Sequence, residues 1–235
     1  MGIKIALAGN PNCGKTTMFN ALTGANQYVG NWPGVTVEKK EGKLKGKRKN
    51  DDIIVTDLPG IYSLSPYTLE EVVSRDYILN DDPDVIIDLV DATNIERNLY
   101  LSTQIMELGI PVIMAVNMMD IVEKNGDKIH IDKLAKKLGC EVVTISALKG
   151  TGIKEAADKA VQIAQKKGAA VPVHEFDKDV EAVIRTVESK LGNDIVNEQK
   201  RFFAIKLLEK DDKITEQMKS VPDVSAEIKQ LEDKF

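Results

Sequence analysis

Short apolar runs alternate with amphipathic stretches along the first two thirds of the chain. The runs have the length of buried strands, and the stretches between them carry apolar residues at helical spacing. Such alternation is typical of a parallel α/β sheet. The predicted strands are Ile3–Ala8, Ile53–Asp57, Val85–Val90, Val112–Asn117 and Glu141–Ile145. The predicted helices are Lys15–Leu22, Leu69–Ile78, Arg97–Glu107, Ile131–Leu138 and Ile153–Lys166.

A hairpin interrupts this alternation between residues 35 and 55. Val35–Leu44 and Asp51–Val55 flank a turn rich in Gly and Lys, which predicts one antiparallel strand at the edge of a six-stranded mixed sheet. The same region, Lys39–Lys49, carries seven basic residues. They indicate either a solvated edge that resists aggregation or a surface for an anionic membrane or partner.

The character of the chain changes past residue 167. Residues 166–172 are typical of a linker, and apolar residues then recur at helical spacing in about four segments without a strand candidate. We therefore expect an α/β domain over residues 1–167 and a small all-helical domain over residues 168–235. The second domain is of marginal size for independent stability, so we expect it to pack against the first.

The composition is that of an ordinary globular protein, with 235 residues, 43% hydrophobic and 29% charged, and a formal net charge of −5. The negative balance disfavours a nucleic acid partner bound through bulk charge. No signal peptide and no run of about 20 apolar residues is present, so we expect a soluble chain. Cys13 and Cys140 show no metal-ligand spacing and favour a reducing compartment.

A phosphate-binding motif lies between the first predicted strand and the first predicted helix. Gly9, Gly14, Lys15 and Thr16 match G-x-x-x-x-G-K-[ST] in the required strand–loop–helix context. Backbone N–H groups would bind phosphate, Lys15 would neutralise the β and γ phosphates, and Thr16 would bind Mg²⁺. The predicted nucleotide-binding residues here are Gly9, Asn10, Pro11, Asn12, Cys13, Gly14, Lys15, Thr16 and Thr17. With the mixed sheet, this loop predicts a Ras-like P-loop G domain.

Two later motifs select guanine over adenine. Asp120 would accept hydrogen bonds from the ring N–H and the exocyclic amine of guanine, a pair that adenine does not offer. The backbone N–H of Ala147 would bind the guanine carbonyl oxygen. The predicted base-binding residues are Asn117, Met118, Asp120, Ser146, Ala147 and Leu148. The predicted ligand is therefore GTP or GDP.

Two further segments would respond to the γ-phosphate. Asp57 would hold a Mg²⁺ water, the Gly60 N–H would contact the γ-phosphate, and Thr36 would bind Mg²⁺ only with GTP. Trp32 is expected to be exposed in a mobile segment, with burial in a structural loop as the alternative. The residues assigned to these segments are Gly34, Val35, Thr36, Val37, Glu38, Asp57, Leu58, Pro59 and Gly60.

Ile61 stands where many G proteins place a glutamine that orients the attacking water. Isoleucine cannot do this, so a partner's arginine or a bound monovalent cation would have to stabilise the transition state. Asn12 is a candidate side-chain ligand for that cation, although Asn is also common in turns. The predicted catalytic residues are Asn12, Lys15, Thr36 and Gly60. The acidic cluster Asn80–Asp84 is interpreted as a turn rather than a metal site.

In these motifs the chain resembles the cytosolic N-terminal region of the FeoB family of ferrous iron transporters. The segments that carry the resemblance are Gly9–Thr17, Asn31–Glu38, Asp57–Leu64, Asn117–Asp120 and Ser146–Leu148. It implies a GTPase domain, a helical domain that restrains GDP release, and a membrane-embedded Fe²⁺ permease domain of the same longer chain. That last domain is absent here and would place this region at the cytoplasmic face of the cell membrane.

The resemblance also implies potassium-stimulated hydrolysis. Its K⁺ ligands would be Asn12 and backbone carbonyls from Gly30 to Trp32, beside the Mg²⁺ ligands Thr16, Thr36 and Asp57. Met118 departs from the lysine of N-K-x-D, but methionine is usual there in this family.

Two other functions stay open. A soluble GTPase of ribosome assembly or RNA modification usually carries a basic module, whereas residues 171–235 have an acidic excess. A nucleotide-sensing module with negligible turnover is compatible with Ile61. The residues leave the oligomeric state open.

Overall fold

The computed structural model describes residues 2–25, 27–46, 52–65, 67–166 and 175–234. Over these residues it contains one seven-stranded sheet in the spatial order β2-β3-β4-β1-β5-β6-β7. The strands are β1 (Ile3–Gly9), β2 (Gln27–Asn31), β3 (Glu38–Lys43), β4 (Ile53–Asp57), β5 (Val85–Asp91), β6 (Val112–Asn117) and β7 (Glu141–Thr144). Strands β4, β1, β5, β6 and β7 are parallel, and β3 is antiparallel to both of its neighbours. The α/β prediction and the β3–β4 hairpin are confirmed.

The edge of the sheet differs from the prediction. The antiparallel strand β3 is not the edge, because β2 pairs along its outer side from Gln27 opposite Gly42 to Asn31 opposite Glu38. The side chains of β2 are mainly exposed, so this strand has no apolar run in the sequence. Backbone pairing holds it in place, and the sheet therefore has seven strands rather than six.

Helices cover both faces of the sheet. On one face, α1 and α6 bury apolar side chains with one layer of the sheet, and on the other α2, α3 and α5 pack against the second layer. These helices are α1 (Lys15–Thr23), α2 (Leu69–Asn80), α3 (Ile95–Met106), α4 (Met119–Lys124), α5 (Ile131–Leu138) and α6 (Ile153–Lys166). All five predicted helices are present. The short α4 was not predicted, because six residues are too few to show helical periodicity.

Four helices follow residue 175: α7 (Lys178–Lys190), α8 (Lys200–Leu208), α9 (Asp212–Thr215) and α10 (Ser225–Glu232). Their apolar residues, including Ile184, Val187 and Phe202, belong to the same core cluster as Leu101 and Ile105 of α3. The helical character of this region and its packing against the sheet domain are therefore confirmed. Apart from Lys166, which ends α6, the predicted linker at 166–172 lies outside the described residues, as does the boundary between 167 and 168.

An ion-pair network reinforces this contact. The guanidinium of Arg201 in α8 donates to Glu107, next to α3, and to Glu181 of α7, the latter with N–O distances of 2.8 Å.

Within the described ranges, no helix combines the length and the apolar character that a membrane span requires.

Candidate nucleotide-binding site

The phosphate-loop residues form a tight turn between β1 and α1. Asn12 has φ 65° and Gly14 has φ 98°, both in the left-handed region. Only glycine fits at residue 14, since a Cβ there would overlap the side-chain amide of Asn117. The turn ends where the Met18 N–H donates to the Gly14 carbonyl at 3.0 Å and α1 begins. The first N–H groups of a helix have no acceptor within the helix, so the start of α1 is suited to bind an anion.

Lys15, Thr16 and Asp57 meet beside this turn. Asp57 ends β4 next to Leu7 of β1, which brings its carboxylate to the start of α1. Lys15 Nζ lies 3.7 Å from one carboxylate oxygen, and the Thr16 hydroxyl donates to the other at 3.2 Å. Burial raises the pKa of Asp57, while the charge of Lys15 opposes this shift. The structure thus brings together three residues that the sequence assigned to phosphate and Mg²⁺.

The same cluster fits a magnesium ion. Within the described part of the chain, Oδ1 of Asp57 is buried and has no hydrogen-bond partner. Carboxylate and hydroxyl oxygens are the ligands that Mg²⁺ prefers. The Asp57 carboxylate and Thr16 hydroxyl therefore supply a suitable donor set.

Asn117 ties two loops of the site together. Its Nδ2 donates to the Cys13 carbonyl at 2.8 Å, and its Oδ1 accepts from the Ala147 N–H at 2.9 Å. Both bonds are buried, and their partners lie in the phosphate loop and in the loop after β7. The sequence assigned Asn117 to the base, and it gave no sign of this structural role.

Asp120 lies in the first turn of α4, after Met118, whose backbone is left-handed with φ 65°. The Asp120 carboxylate pairs with Lys149 Nζ at 2.7 Å, and this hydrogen bond lowers its pKa. An ionised acceptor is what two donors of a guanine ring require. Leu148 is 92% exposed beside Ala147, which leaves its side chain available to a ligand.

The segment around Trp32 differs from the expected mobile loop. Gly30 pairs with Lys39 in the β2–β3 ladder, so the segment begins as a strand. Trp32 is buried, with its ring edge-on to Tyr77 at 5.4 Å between centroids and its backbone N–H bonded to the Val37 carbonyl. The expectation of an exposed Trp32 was wrong, because the ring fills a gap in the core beside α2, which local sequence does not reveal.

Thr36 is exposed in the turn that joins β2 to β3, together with Gly34. In the structure this turn is held through Trp32, whose carbonyl accepts from the Val35 N–H at 3.3 Å. The described contacts therefore do not join Thr36 to the Lys15–Asp57 cluster.

The segment after Asp57 lies against the phosphate loop. The Ile61 N–H donates to the Gly9 carbonyl at 3.3 Å, and a Cβ on Gly60 would lie 3.0 Å from Cα of Pro11. Ile61 is 2% exposed, so it is a core residue. Three side chains contact the next residues, Tyr62 to Ser65, and the sequence did not indicate them. They are Arg97, Gln104 and Lys206.

The two remaining charged segments are the basic run Lys39–Lys49 and the acidic segment Asn80–Asp84. Lys39, Lys40 and Lys43 pair with Glu41, Glu38 and Asp52 respectively, and residues 47–49 of the basic run lie outside the described residues. Asn80 ends α2, and residues 81–84 form the turn between α2 and β5. No group of three or more His, Cys, Asp or Glu side chains that could hold a metal ion occurs in the described ranges.

Comparison with known sequences places this geometry in a family. The sequence profile described as ferrous iron transport protein B matches residues 3–160, more than half of the chain. The chain belongs to the FeoB family. A second profile, the FeoB cytosolic helical domain, matches residues 176–235.

Curated FeoB relatives extend well beyond this chain. The Fe(2+) transporter FeoB of Shigella flexneri is 43% identical over 213 residues, and that of Salmonella typhimurium is 42% identical over 216. Each match covers 89% of this chain but 27% of the relative. The chain thus spans about a quarter of the length of these FeoB proteins.

Solved FeoB structures have the same fold. A mutant of S. thermophilus NFeoB bound to GDP superposes with a TM-score of 0.88 at 47% identity, covering 97% of this chain and 87% of that one. NFeoB from S. thermophilus bound to GDP·AlF₄⁻ and K⁺ gives a TM-score of 0.83 at 47% identity, covering 98% and 88%. The predicted G-domain fold and its helical extension are confirmed.

Proposed function

We propose that this chain binds GTP and hydrolyses it to GDP and phosphate. The observation that carries the proposal is the meeting of Lys15, Thr16 and Asp57 beside a phosphate loop that Asn117 ties to Ala147. In a G domain the loops that bind the triphosphate must be joined to the loops that bind the guanine, and these contacts join them. The complexes of S. thermophilus NFeoB with GDP and with GDP·AlF₄⁻ support the same ligand class.

The residues would act by positioning and by neutralising charge. Lys15 and the N–H groups at the start of α1 would hold the phosphates, and Thr16, Asp57 and Thr36 would hold Mg²⁺. That ion would neutralise charge on the phosphate oxygens. Asp120 and the Ala147 N–H would select guanine. Ile61 is apolar and buried, so no side chain at that position orients water.

We also propose that a potassium ion stimulates hydrolysis, with Asn12 and backbone carbonyls of Gly30 and Trp32 as ligands. The backbone of Asn12 in the phosphate loop is left-handed. This conformation is unfavourable for most residues, but Asn tolerates it. The K⁺ complex of S. thermophilus NFeoB supports the proposal. The positive charge of a bound cation would stabilise the transition state, to which the apolar Ile61 cannot contribute.

Single-turnover hydrolysis of GTP in KCl and in NaCl tests both proposals. We expect turnover in KCl and slower turnover in NaCl, and we expect Asn12→Ala to keep GDP affinity while losing the potassium effect. Equal rates in the two salts would contradict the cation site alone. No turnover in either salt, or ATP binding as tight as GTP binding, would contradict the GTPase.

For the longer protein, we propose that this region regulates a membrane-embedded Fe²⁺ permease domain of the same chain from the cytoplasmic face. We assign the G domain to residues 1–167 and a helical domain that restrains GDP release to residues 168–235. The curated FeoB relatives, of which this chain covers 27%, support the existence of such a further domain. Release of labelled GDP should accelerate when the helical residues are deleted, and an unchanged rate would contradict their role.

A further inference from the structure

Helix α3 contacts the segment after Gly60 through two side chains. Oε1 of Gln104 accepts two hydrogen bonds, from the Leu64 N–H at 2.6 Å and from the Ser63 hydroxyl at 3.2 Å. Nearer the start of the helix, the guanidinium carbon of Arg97 lies 4.1 Å from the ring centre of Tyr62. These two residues are seven positions apart and so share one face of α3.

Helix α3 is a firm support for these contacts. Leu101 and Ile105, on its buried side, are 0% exposed. Asn98 Oδ1 accepts from the Asp91 N–H at 3.2 Å, and the Ser102 hydroxyl donates to Asp88 in the centre of the sheet. The helix is thereby bonded to β5 at two points, and a side chain projecting from it has a defined position.

The segment held by α3 is short and is fixed at its other end by the phosphate loop. The Ile61 N–H bonds the Gly9 carbonyl, and Gly60 lies against Pro11. Leu64, whose N–H bonds Gln104, is 0% exposed. Only two residues separate Ile61 from Leu64, so movement of the Leu64 end would be transmitted to Gly60.

We propose that Gln104 and Arg97 are positioning residues for GTP hydrolysis. They hold residues 62–64 so that the backbone N–H of Gly60 keeps a defined place beside the phosphate loop. This inference rests on the proposed GTPase function and adds the residues that fix its γ-phosphate contact. With an apolar residue at 61, the reaction depends on backbone placement, because no side chain at that position can compensate for a displaced segment.

The chemistry of the Gln104 contact allows a matched pair of variants. Gln104→Met keeps the length of the side chain but removes the acceptor, which leaves the buried Leu64 N–H without its partner. Gln104→Glu keeps oxygen acceptors at the same distance along the chain. A buried amide without an acceptor is unfavourable by an amount that corresponds to about 5- to 150-fold in an equilibrium.

We expect Gln104→Met to lower the kcat for GTP by about 5- to 150-fold while KM and GDP affinity change by less than about threefold. Gln104→Glu should restore kcat to within about threefold of wild type. Arg97→Ala, at an exposed position, should lower kcat by about two- to fivefold, as loss of an exposed cation–π contact predicts. Glu96→Gln, on the same helix turn as Arg97, is the control and should leave kcat unchanged.

Three results would overturn the inference. The first is a wild-type kcat in Gln104→Met. The second is equal loss in the Met and Glu variants, which would show that the acceptor is not the reason. The third is an effect confined to KM.

The inference stays testable if Gln104→Met does not fold. An unchanged kcat in Arg97→Ala then overturns the role of Arg97, and a loss of kcat in Gln104→Glu overturns that of Gln104. Absence of turnover in the wild type would instead overturn the proposed GTPase, and this inference with it.

Discussion

Replacing Asn117 by Ala tests whether this residue holds the site together or only contacts the base. The change removes both buried hydrogen bonds and leaves the Cys13 carbonyl and the Ala147 N–H without partners. Cys13 is 1% and Ala147 6% exposed, so water would compensate poorly. An orphaned buried polar group is unfavourable by about 1–3 kcal/mol, which gives about 2–4 kcal/mol for the pair when one of them regains a water.

The assay is urea unfolding of the nucleotide-free protein, followed by circular dichroism. We expect Asn117→Ala to lower the free energy of unfolding by about 2–4 kcal/mol. Asn117→Asp keeps an acceptor for Ala147 but sets a buried carboxylate against the Cys13 carbonyl, so it should be at least as destabilising as Asn117→Ala at neutral pH. Asp120→Ala is the control and should unfold as wild type does, since Asp120 pairs with the exposed Lys149. If Asn117→Ala changes the stability of the nucleotide-free protein by less than about 0.5 kcal/mol, the structural role is refuted.

Two further predictions concern other carboxylates. Burial raises the pKa of Asp88 from 3.8 to about 7, so its neutral form is favoured in the fold and the free energy of unfolding decreases as the pH rises from about 4 to about 7. Asp88→Asn should therefore be more stable than wild type at pH 8 by roughly 2–4 kcal/mol and similar to it at pH 4, as measured by urea unfolding; equal differences at both pH values would show that Asp88 does not titrate this way. Asp120→Asn should shift binding from GDP to xanthosine diphosphate, because an amide donates to the xanthine 2-oxygen where a carboxylate accepts from the guanine amine. Competition binding in which both nucleotides weaken equally would remove Asp120 from base recognition.

Much of the fold follows from local patterns in the sequence. The parallel strands and their helices were predicted because burial on both faces of a sheet requires nearly continuous apolar runs, as in Val112–Asn117. The phosphate loop was predicted because a tight turn needs glycines at fixed spacing, and Gly14 indeed has a positive φ. The residues assigned to Mg²⁺ and phosphate, Lys15, Thr16 and Asp57, lie together because they end or begin neighbouring elements.

Other features required the tertiary structure. Strand β2 is mainly exposed and is held by backbone pairing, which leaves no apolar pattern to find. Trp32 is buried because side chains distant in the chain, among them Tyr77, lie in the same core cluster.

The hydrogen bonds that Asn117 and Gln104 make to loops also required the tertiary structure. Asn117 joins the phosphate loop to the loop after β7, and Gln104 joins α3 to residues 63 and 64. A hydrogen bond between distant segments forms only where the fold brings both partners together. The residues next to either partner in the sequence therefore do not indicate it. The sequence by itself therefore determined the order of elements and the chemistry of the candidate site, whereas only the packed structure decided which side chains hold that site in place.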